Sequence, residues 1–203
     1  QYQKPIKRTK EKVEGHNYHK FYENYLSKIK NSNLDILEIG SFRGNAAAAL
    51  YFYLPLSKFF CVDLYPDLFL YKSKRIKNYY LDNSSENEIQ IKILENAEKY
   101  DLVIEDAGHF YKDQIISLFK IFPKLKKNGI YVVEELDFPD TRSDMNLNNQ
   151  HPTLKEILLL IKSNKDFHSS LISENEKEFF LSNYDTIDIL KGSFNNICFI
   201  KKK

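Results

Sequence analysis

Short apolar runs alternate along the chain with longer amphipathic stretches. The apolar runs have the length of buried strands, and five of them lie at 34–40, 58–64, 76–82, 101–106 and 130–136. The stretches around them have helical spacing or length, and they span 17–30, 44–54, 86–100 and 111–127. Strands separated by helices of this length form parallel βαβ units, with helices on both faces of the sheet.

The pattern changes near the carboxyl terminus. Two more strands are predicted at 186–190 and 196–202, and the short connection between them suits an antiparallel hairpin. The predicted fold class is therefore α/β: a Rossmann-like sheet of five parallel strands plus a C-terminal antiparallel hairpin, with helices on both faces. This is the layout of class I methyltransferases. Residues 137–152 are polar and rich in turn formers, as in a functional loop after the fifth strand.

Length and composition narrow the class of protein. The 203 residues fit a single domain, which we place at 13–203, after a flexible basic arm at 1–12. Thirty basic and 28 acidic residues leave a net charge of +2, which argues against a nucleic-acid partner. No apolar run is long enough to span a bilayer, so we expect no membrane partner. Cys61 and Cys198 lie in apolar runs and are expected to be buried free thiols in a cytoplasmic protein.

The first strand ends in a glycine-containing loop, "LEIGSFRGN" (37–45). Gly40 permits a tight turn, and Gly44 lets the backbone approach a ligand where the next helix begins. Asp63 ends the second strand, 23 residues after Gly40, where a carboxylate accepts hydrogen bonds from both hydroxyls of a ribose. These features together predict a site for an adenosine-type cofactor.

Other residues at the carboxyl ends of the predicted strands indicate which cofactor binds. The loop lacks the closely spaced second glycine that a pyrophosphate requires, which argues against a dinucleotide. Glu38 suits the cationic amino-acid end of S-adenosylmethionine, and Ser41 belongs to the same predicted site. Asp82 follows the third strand and is placed to meet the adenine side of the cofactor, although a solvated turn is an alternative for it.

Acidic residues end the fourth and fifth strands. Asp106 ends the fourth strand and lies three residues before His109, and Glu134 and Glu135 end the fifth. Three carboxylates at one sheet edge repel each other unless a cation or a proton lies between them, and oxygen ligands favour Mg²⁺. His109 is then a candidate general base for an acceptor hydroxyl, beside a methyl sulfonium. The alternatives are solvated acids and a histidine that caps a helix.

The segment 104–136, "IEDAGHFYKDQIISLFKIFPKLKKNGIYVVEEL", resembles the mycinamicin-type macrolide-sugar O-methyltransferases, which are metal-dependent. The resemblance extends over nearly the whole chain from about residue 12. It implies Mg²⁺ ligation by Asp106, Glu134 and Glu135, with His109 as the base. It also implies a small-molecule acceptor, a sugar or glycoside, and a homo-oligomer as one arrangement of the chain.

The chain departs from the motif of this family at several positions, and one of them is Lys127-Asn128-Gly129 in place of a Pro-Gly-Gly-type turn. Glu105 replaces an Asp, Ala107-Gly108 replaces Gly-Ser, and Glu135 replaces an Asp with a side chain one methylene longer. The preferred hypothesis is methyl transfer from S-adenosylmethionine to a hydroxyl of a sugar or a glycosylated or nucleotide-linked molecule, as in polysaccharide biosynthesis. The alternatives are a metal-independent methyltransferase, a nucleotide-dependent oxidoreductase, and a non-catalytic binding module.

The identity of the acceptor is not specified by any motif. Its contacts are expected from the loop at 137–152, where Arg142, Asp144 and His151 are candidates.

Overall fold

The computed structural model describes residues 15–203, so the basic arm predicted over 1–12 lies outside the described residues. Strands and helices alternate as the hydrophobic pattern predicts. The strands are β1 (Asp35–Ile39), β2 (Lys58–Asp63), β3 (Ile76–Tyr80), β4 (Tyr100–Glu105), β5 (Leu125–Val133), β6 (Tyr184–Lys191) and β7 (Asn196–Lys202). The helices are α1 (His19–Leu26), α2 (Asn45–Tyr53), α3 (Glu86–Ile89), α4 (Tyr111–Ile121), α5 (Phe138–Thr141), α6 (Leu154–Lys162) and α7 (Glu174–Asn183).

All seven strands form one sheet in the order β3-β2-β1-β4-β5-β7-β6. Strands β1 to β5 are parallel, and β7 is antiparallel to both of its neighbours. The predicted fold class is therefore confirmed, including the antiparallel hairpin. The strand order reverses between β1 and β4, which opens a crevice outside the carboxyl ends of these two strands.

Helices cover both faces of the sheet. Leu37 and Val103 point to the face covered by α4 and α6, and Ile36 and Ile104 point to the face covered by α1 and α2. This alternation follows from the two-residue period of a strand. Both cysteines are buried free thiols, as predicted. Within residues 15–203, no helix is both long and apolar enough to cross a membrane.

Two predicted helices end earlier than expected. The helix predicted over 86–100 is short: α3 ends at Ile89 and continues as a π-helical turn, Gln90–Leu94. The helix predicted over 111–127 ends at Ile121, because Pro123 has no N–H to continue it and lies in the following 3₁₀ turn. Strand β5 then begins at Leu125 rather than at residue 130.

The loop predicted at 137–152 is partly ordered. It contains the single-turn helix α5, and its first residue, Asp137, is a buried carboxylate. Asp137 accepts a hydrogen bond from the backbone N–H of Asn196 over 2.7 Å and lies 3.3 Å from Nζ of Lys191. These contacts hold the segment against the β6–β7 hairpin. A capping box at Thr153 then starts α6.

Candidate active site

The loop after β1 passes very close to the end of β4. Gly40 has a φ of +89°, and a Cβ atom at this position would lie 2.1 Å from the backbone oxygen of Asp106. Only glycine, which has no Cβ atom, can adopt this conformation so close to the backbone of Asp106. Gly40 therefore brings the β1 loop and Asp106 together, as the predicted cofactor site requires.

Ser41 and Gly44 have local structural contacts. Gly44 has a φ of +79° and precedes α2, and a Cβ there would lie 2.5 Å from the ring of Phe69. The hydroxyl of Ser41 donates to the backbone oxygen of Glu38 over 3.1 Å. Neither residue lines the two cavities at this edge. The structure gives Gly44 a close contact with the Phe69 ring, and its approach to a ligand stays a prediction.

The first cavity, of about 390 Å³, lies among the loops that follow β1 to β4, and we call it the loop cavity. Gly40, Asp63, Asp82 and Asp106 line it together with Asp113 of α4. The carboxylate of Asp63 accepts hydrogen bonds from the backbone N–H groups of Phe42 and Tyr65, each over 2.8 Å, and is thereby fixed in orientation. The four predicted residues are therefore brought together.

The second cavity, of about 570 Å³, lies between α1 and α2, and we call it the helix cavity. Its lining is mostly apolar, apart from charged groups that include Glu38, Asp106 and Glu134. Burial raises the pKa of Glu38 to about 7, and its Oε2 atom has no hydrogen-bond partner among the described residues. A buried carboxyl oxygen of this kind is suited to a ligand that donates hydrogen bonds.

Asp106, His109 and Glu135 form the centre of the site. Nε2 of His109 lies 3.6 Å from Oδ1 of Asp106 and 3.9 Å from Oε2 of Glu135. One ligand atom from each of the three lies within 4.8 Å of the others, a spacing that a metal ion can bridge. His109 and Glu135 have φ angles of +57° and +46°, a strained region for non-glycine residues that is common at functional sites.

Glu134 is placed differently from the prediction. It is outside the group that can share one ion, and its Oε1 accepts a hydrogen bond from the hydroxyl of Tyr22 over 2.7 Å. Adjacent residues at a strand end point in different directions, which separates the side chains of Glu134 and Glu135. The predicted ligand set of Asp106, Glu134 and Glu135 is therefore not the set that the structure brings together, since His109 takes the place of Glu134.

The pKa shifts reflect the crowding of acids at this edge. Desolvation by the surrounding protein, then the negative charges of Glu134 and Glu135, raise the pKa of Asp106 well above its usual range. Burial, then repulsion from Glu135, raises the pKa of Glu134 to about 8. Burial, then the positive charges of Arg142 and His16, lowers the pKa of His109 to about 4. The imidazole is therefore neutral at pH 7, the form that accepts a proton.

The candidate acceptor residues are at different distances from this centre. Arg142 lies over the ring of Phe138, which packs edge-on against His109 with ring centres 5.1 Å apart. Asp144 pairs with Arg142 over 2.7 Å. His151 instead contacts Glu156 at the start of α6 over 2.8 Å. Of the three, Arg142 is thus tied most directly to His109.

Three residues of this edge have no signal in the sequence. Asp113 is 7% exposed and lines the loop cavity, and burial, then the charge of Asp82, raises its pKa to about 6. His16 and Tyr22 contact the two acids after β5. In the sequence, Asp113 looks like a solvated helix residue and Tyr22 like part of an apolar helix face, so only the three-dimensional arrangement identifies these side chains.

No family model matches the chain, and no curated protein matches it. Among solved structures, MycE methyltransferase from the mycinamycin biosynthetic pathway, in complex with Mg and SAH, is similar over 93% of this chain at 17% identity, with a TM-score of 0.66. A second MycE complex also contains mycinamycin VI. The match covers 50% of MycE, so this chain spans about half the length of that protein.

Two further structures extend the comparison. The N-methyltransferase NodS from Bradyrhizobium japonicum WM9, in complex with SAH, is 13% identical over 97% of this chain and 88% of its own, with a TM-score of 0.54. Precorrin-6y C5,15-methyltransferase from Geobacter metallireducens GS-15 is 13% identical over 91% and 89%, with a TM-score of 0.50. The chain therefore has the fold of class I S-adenosylmethionine-dependent methyltransferases.

Proposed function

We propose that this chain transfers a methyl group from S-adenosylmethionine to a hydroxyl of a sugar, or of a glycosylated or nucleotide-linked small molecule. The observation that carries the proposal is the position of Asp106, which lines both cavities and lies 3.6 Å from the imidazole of His109. A cofactor whose two ends occupy the two cavities passes beside Asp106, and its reactive carbon then lies next to a base.

The two cavities suit the two ends of S-adenosylmethionine. In the loop cavity, Asp63 accepts hydrogen bonds from the ribose hydroxyls, and Asp82 and Asp113 face the adenine. In the helix cavity, the unpartnered Oε2 of Glu38 accepts from the ammonium group of the methionine end. The loop after β1 lacks the closely spaced second glycine that a pyrophosphate requires, which argues against a dinucleotide.

The acids fit a hard divalent cation. Asp106 and Glu135 supply carboxylate oxygens next to each other, with Glu134 close enough to raise the pKa of Asp106. We therefore assign Mg²⁺ to Asp106 and Glu135, with Glu134 as a neighbouring acid. When bound, Mg²⁺ supplies positive charge that lowers the pKa of an acceptor hydroxyl. The Mg-containing complexes of MycE support this assignment.

His109 is the general base in this proposal. Its neutral imidazole takes the proton of the acceptor hydroxyl, whose oxygen forms a bond to the methyl carbon of S-adenosylmethionine. The bond between that carbon and sulfur breaks, the electron pair stays on sulfur, and S-adenosylhomocysteine leaves. Orientation of the two reactants beside Asp106, together with electrostatic stabilisation, contributes most of the rate.

A methyl-transfer assay with EDTA-treated protein tests the metal. We expect activity on a glycoside with vicinal hydroxyls to disappear after chelation and to return with Mg²⁺. Activity that is indifferent to both treatments would support a metal-independent enzyme, with His109 acting alone. Replacing Glu135 by Ala separates the same alternatives, because only a metal-independent enzyme keeps full activity.

A binding measurement tests the non-catalytic alternative. Saturating cofactor, at about 100 times its dissociation constant, stabilises a protein by about 2.7 kcal/mol. We expect S-adenosylhomocysteine to raise the melting temperature accordingly. A chain that shows no such stabilisation is not a methyltransferase of this kind.

A further inference from the structure

Two side chains of the amino-terminal segment contact the acid pair that follows β5. Tyr22, on α1, donates its hydroxyl hydrogen to Oε1 of Glu134 over 2.7 Å. His16, three residues before α1, places its Nδ1 atom 3.1 Å from Oε1 of Glu135. Each acid of the pair therefore has its own neighbour in this segment, with a hydrogen bond at Glu134 and a close contact at Glu135.

The segment that carries His16 is fixed by the β6–β7 hairpin. The backbone N–H of Ser193 donates to the backbone oxygen of His16 over 3.0 Å, and the side chains of Asn17 and Ser193 share a hydrogen bond. A Cβ atom on Gly192 would lie 2.6 Å from that oxygen and 2.5 Å from the ring of Tyr18. Gly192 thus allows the close approach that places His16 beside Glu135.

Helix α1 is fixed in a similar way. Tyr25 stacks on Phe199 of β7 with ring centres 4.1 Å apart, and its hydroxyl donates to Asp188 of β6 over 2.7 Å. Tyr22 packs edge-on against the same Phe199 ring. Packing against β7 therefore determines where the Tyr22 hydroxyl lies.

The contact of His16 with Glu135 involves one oxygen of the carboxylate. His16 lies at Oε1, whereas Oε2 of the same carboxylate is the atom that lies 3.9 Å from His109. Holding one oxygen in this way turns the other toward the group formed with Asp106 and His109. Contacts of this kind to a metal-ligating carboxylate typically change metal affinity about 10- to 100-fold.

We propose that His16 and Tyr22 are positioning residues that orient Glu135 and Glu134, and that the amino-terminal segment is thereby part of the metal site. This inference rests on the metal ion of the proposed function. It assigns a role to a segment that precedes the first strand of the sheet.

Titration with Mn²⁺ by calorimetry tests the inference on the intact chain. We expect His16→Ala to weaken Mn²⁺ binding by about tenfold, and Tyr22→Phe to weaken it less, because Glu134 is a neighbouring acid and not a ligand. We expect His16→Asn to restore part of the loss, because its amide reaches the position of Nδ1. Gly192→Ala should resemble His16→Ala, since it displaces the same segment. His16 lines neither cavity, so His16→Ala should leave the affinity for S-adenosylhomocysteine unchanged.

Tyr25→Phe is the matched control. It removes a tyrosine–carboxylate hydrogen bond of the same length from the same helix, but at Asp188, and we expect wild-type Mn²⁺ affinity. Wild-type affinity in both His16→Ala and Tyr22→Phe would overturn the inference and leave the proposed metal site intact. A wild-type chain that binds no Mn²⁺ would overturn the metal site itself, and the inference with it.

Discussion

Asp113 is a buried carboxyl group in the wall of the loop cavity, and its removal has a calculable effect on stability. Burial, then the charge of Asp82, raises its pKa from 3.8 to about 6. This difference in pKa between the unfolded and the folded chain corresponds to about 3 kcal/mol of unfolding free energy. The residue is only 7% exposed, so screening by solvent reduces this figure only in part.

The sign of the effect follows from the direction of the shift. Because the pKa is higher in the folded state, the folded chain binds this proton more tightly than the unfolded chain. The stabilisation is fully present below pH 3.8 and is lost as the pH rises through 6. Between pH 4.5 and 7.5, the free energy of unfolding should fall by about 2 kcal/mol because of this group alone.

Asp113→Asn removes the titration and nearly keeps the shape of the side chain. We expect the free energy of unfolding of the variant, minus that of the wild type, to increase by about 2 kcal/mol from pH 4.5 to pH 7.5. Urea unfolding at several pH values and constant ionic strength measures this difference, and other titrating groups cancel in it. A difference that is constant over the whole range would refute the reasoning.

Three further predictions concern the site. Gly40→Ala should lower the free energy of unfolding, measured in urea, by about 3 kcal/mol or more, because the new Cβ meets the backbone of Asp106. Gly15→Ala is the control: this glycine has open space around it, and the substitution should lower the free energy of unfolding by only about 1 kcal/mol. Asp63→Asn should weaken S-adenosylhomocysteine binding about tenfold in calorimetry, since a charged acceptor is lost; unchanged affinity would place the ribose elsewhere. His109→Gln should reduce methyl transfer at least about 100-fold with Mn²⁺ affinity kept; a parallel loss of Mn²⁺ binding would make His109 a ligand instead of the base.

The sheet was predictable because each strand carries its own signal. Apolar runs between amphipathic stretches specify a parallel sheet, and residues at the ends of such strands must lie at one edge. This rule alone places Asp63, Asp82 and Asp106 on one cavity, and it brings Asp106 close to Glu135. Helix ends were less predictable, since the π-helical turn at Gln90–Leu94 leaves no distinct pattern in the sequence.

The partners of the acids were not predictable for a physical reason. Tyr22 and Glu134 are 112 residues apart, and the bond between them depends on how α1 packs on β7. In the sequence, Tyr22 is one of several aromatic residues that give α1 its apolar face, and nothing there distinguishes it from Tyr25, which bonds Asp188 instead. Gly44 shows that the sequence also left its role open, because a glycine in a loop is equally consistent with contact to a ligand and with contact to Phe69.

The cost of this edge to the folded state supports a ligand-binding role. Burial and repulsion raise the pKa of Glu134 to about 8, and His109 and Glu135 are held at strained φ angles. Each of these features destabilises the folded chain, and none of them contributes to the hydrophobic core. A bound cation reverses the electrostatic part of this cost, because it favours the ionised carboxylates that crowding disfavours. The crowded acids are therefore the groups whose ionised form a bound ion stabilises.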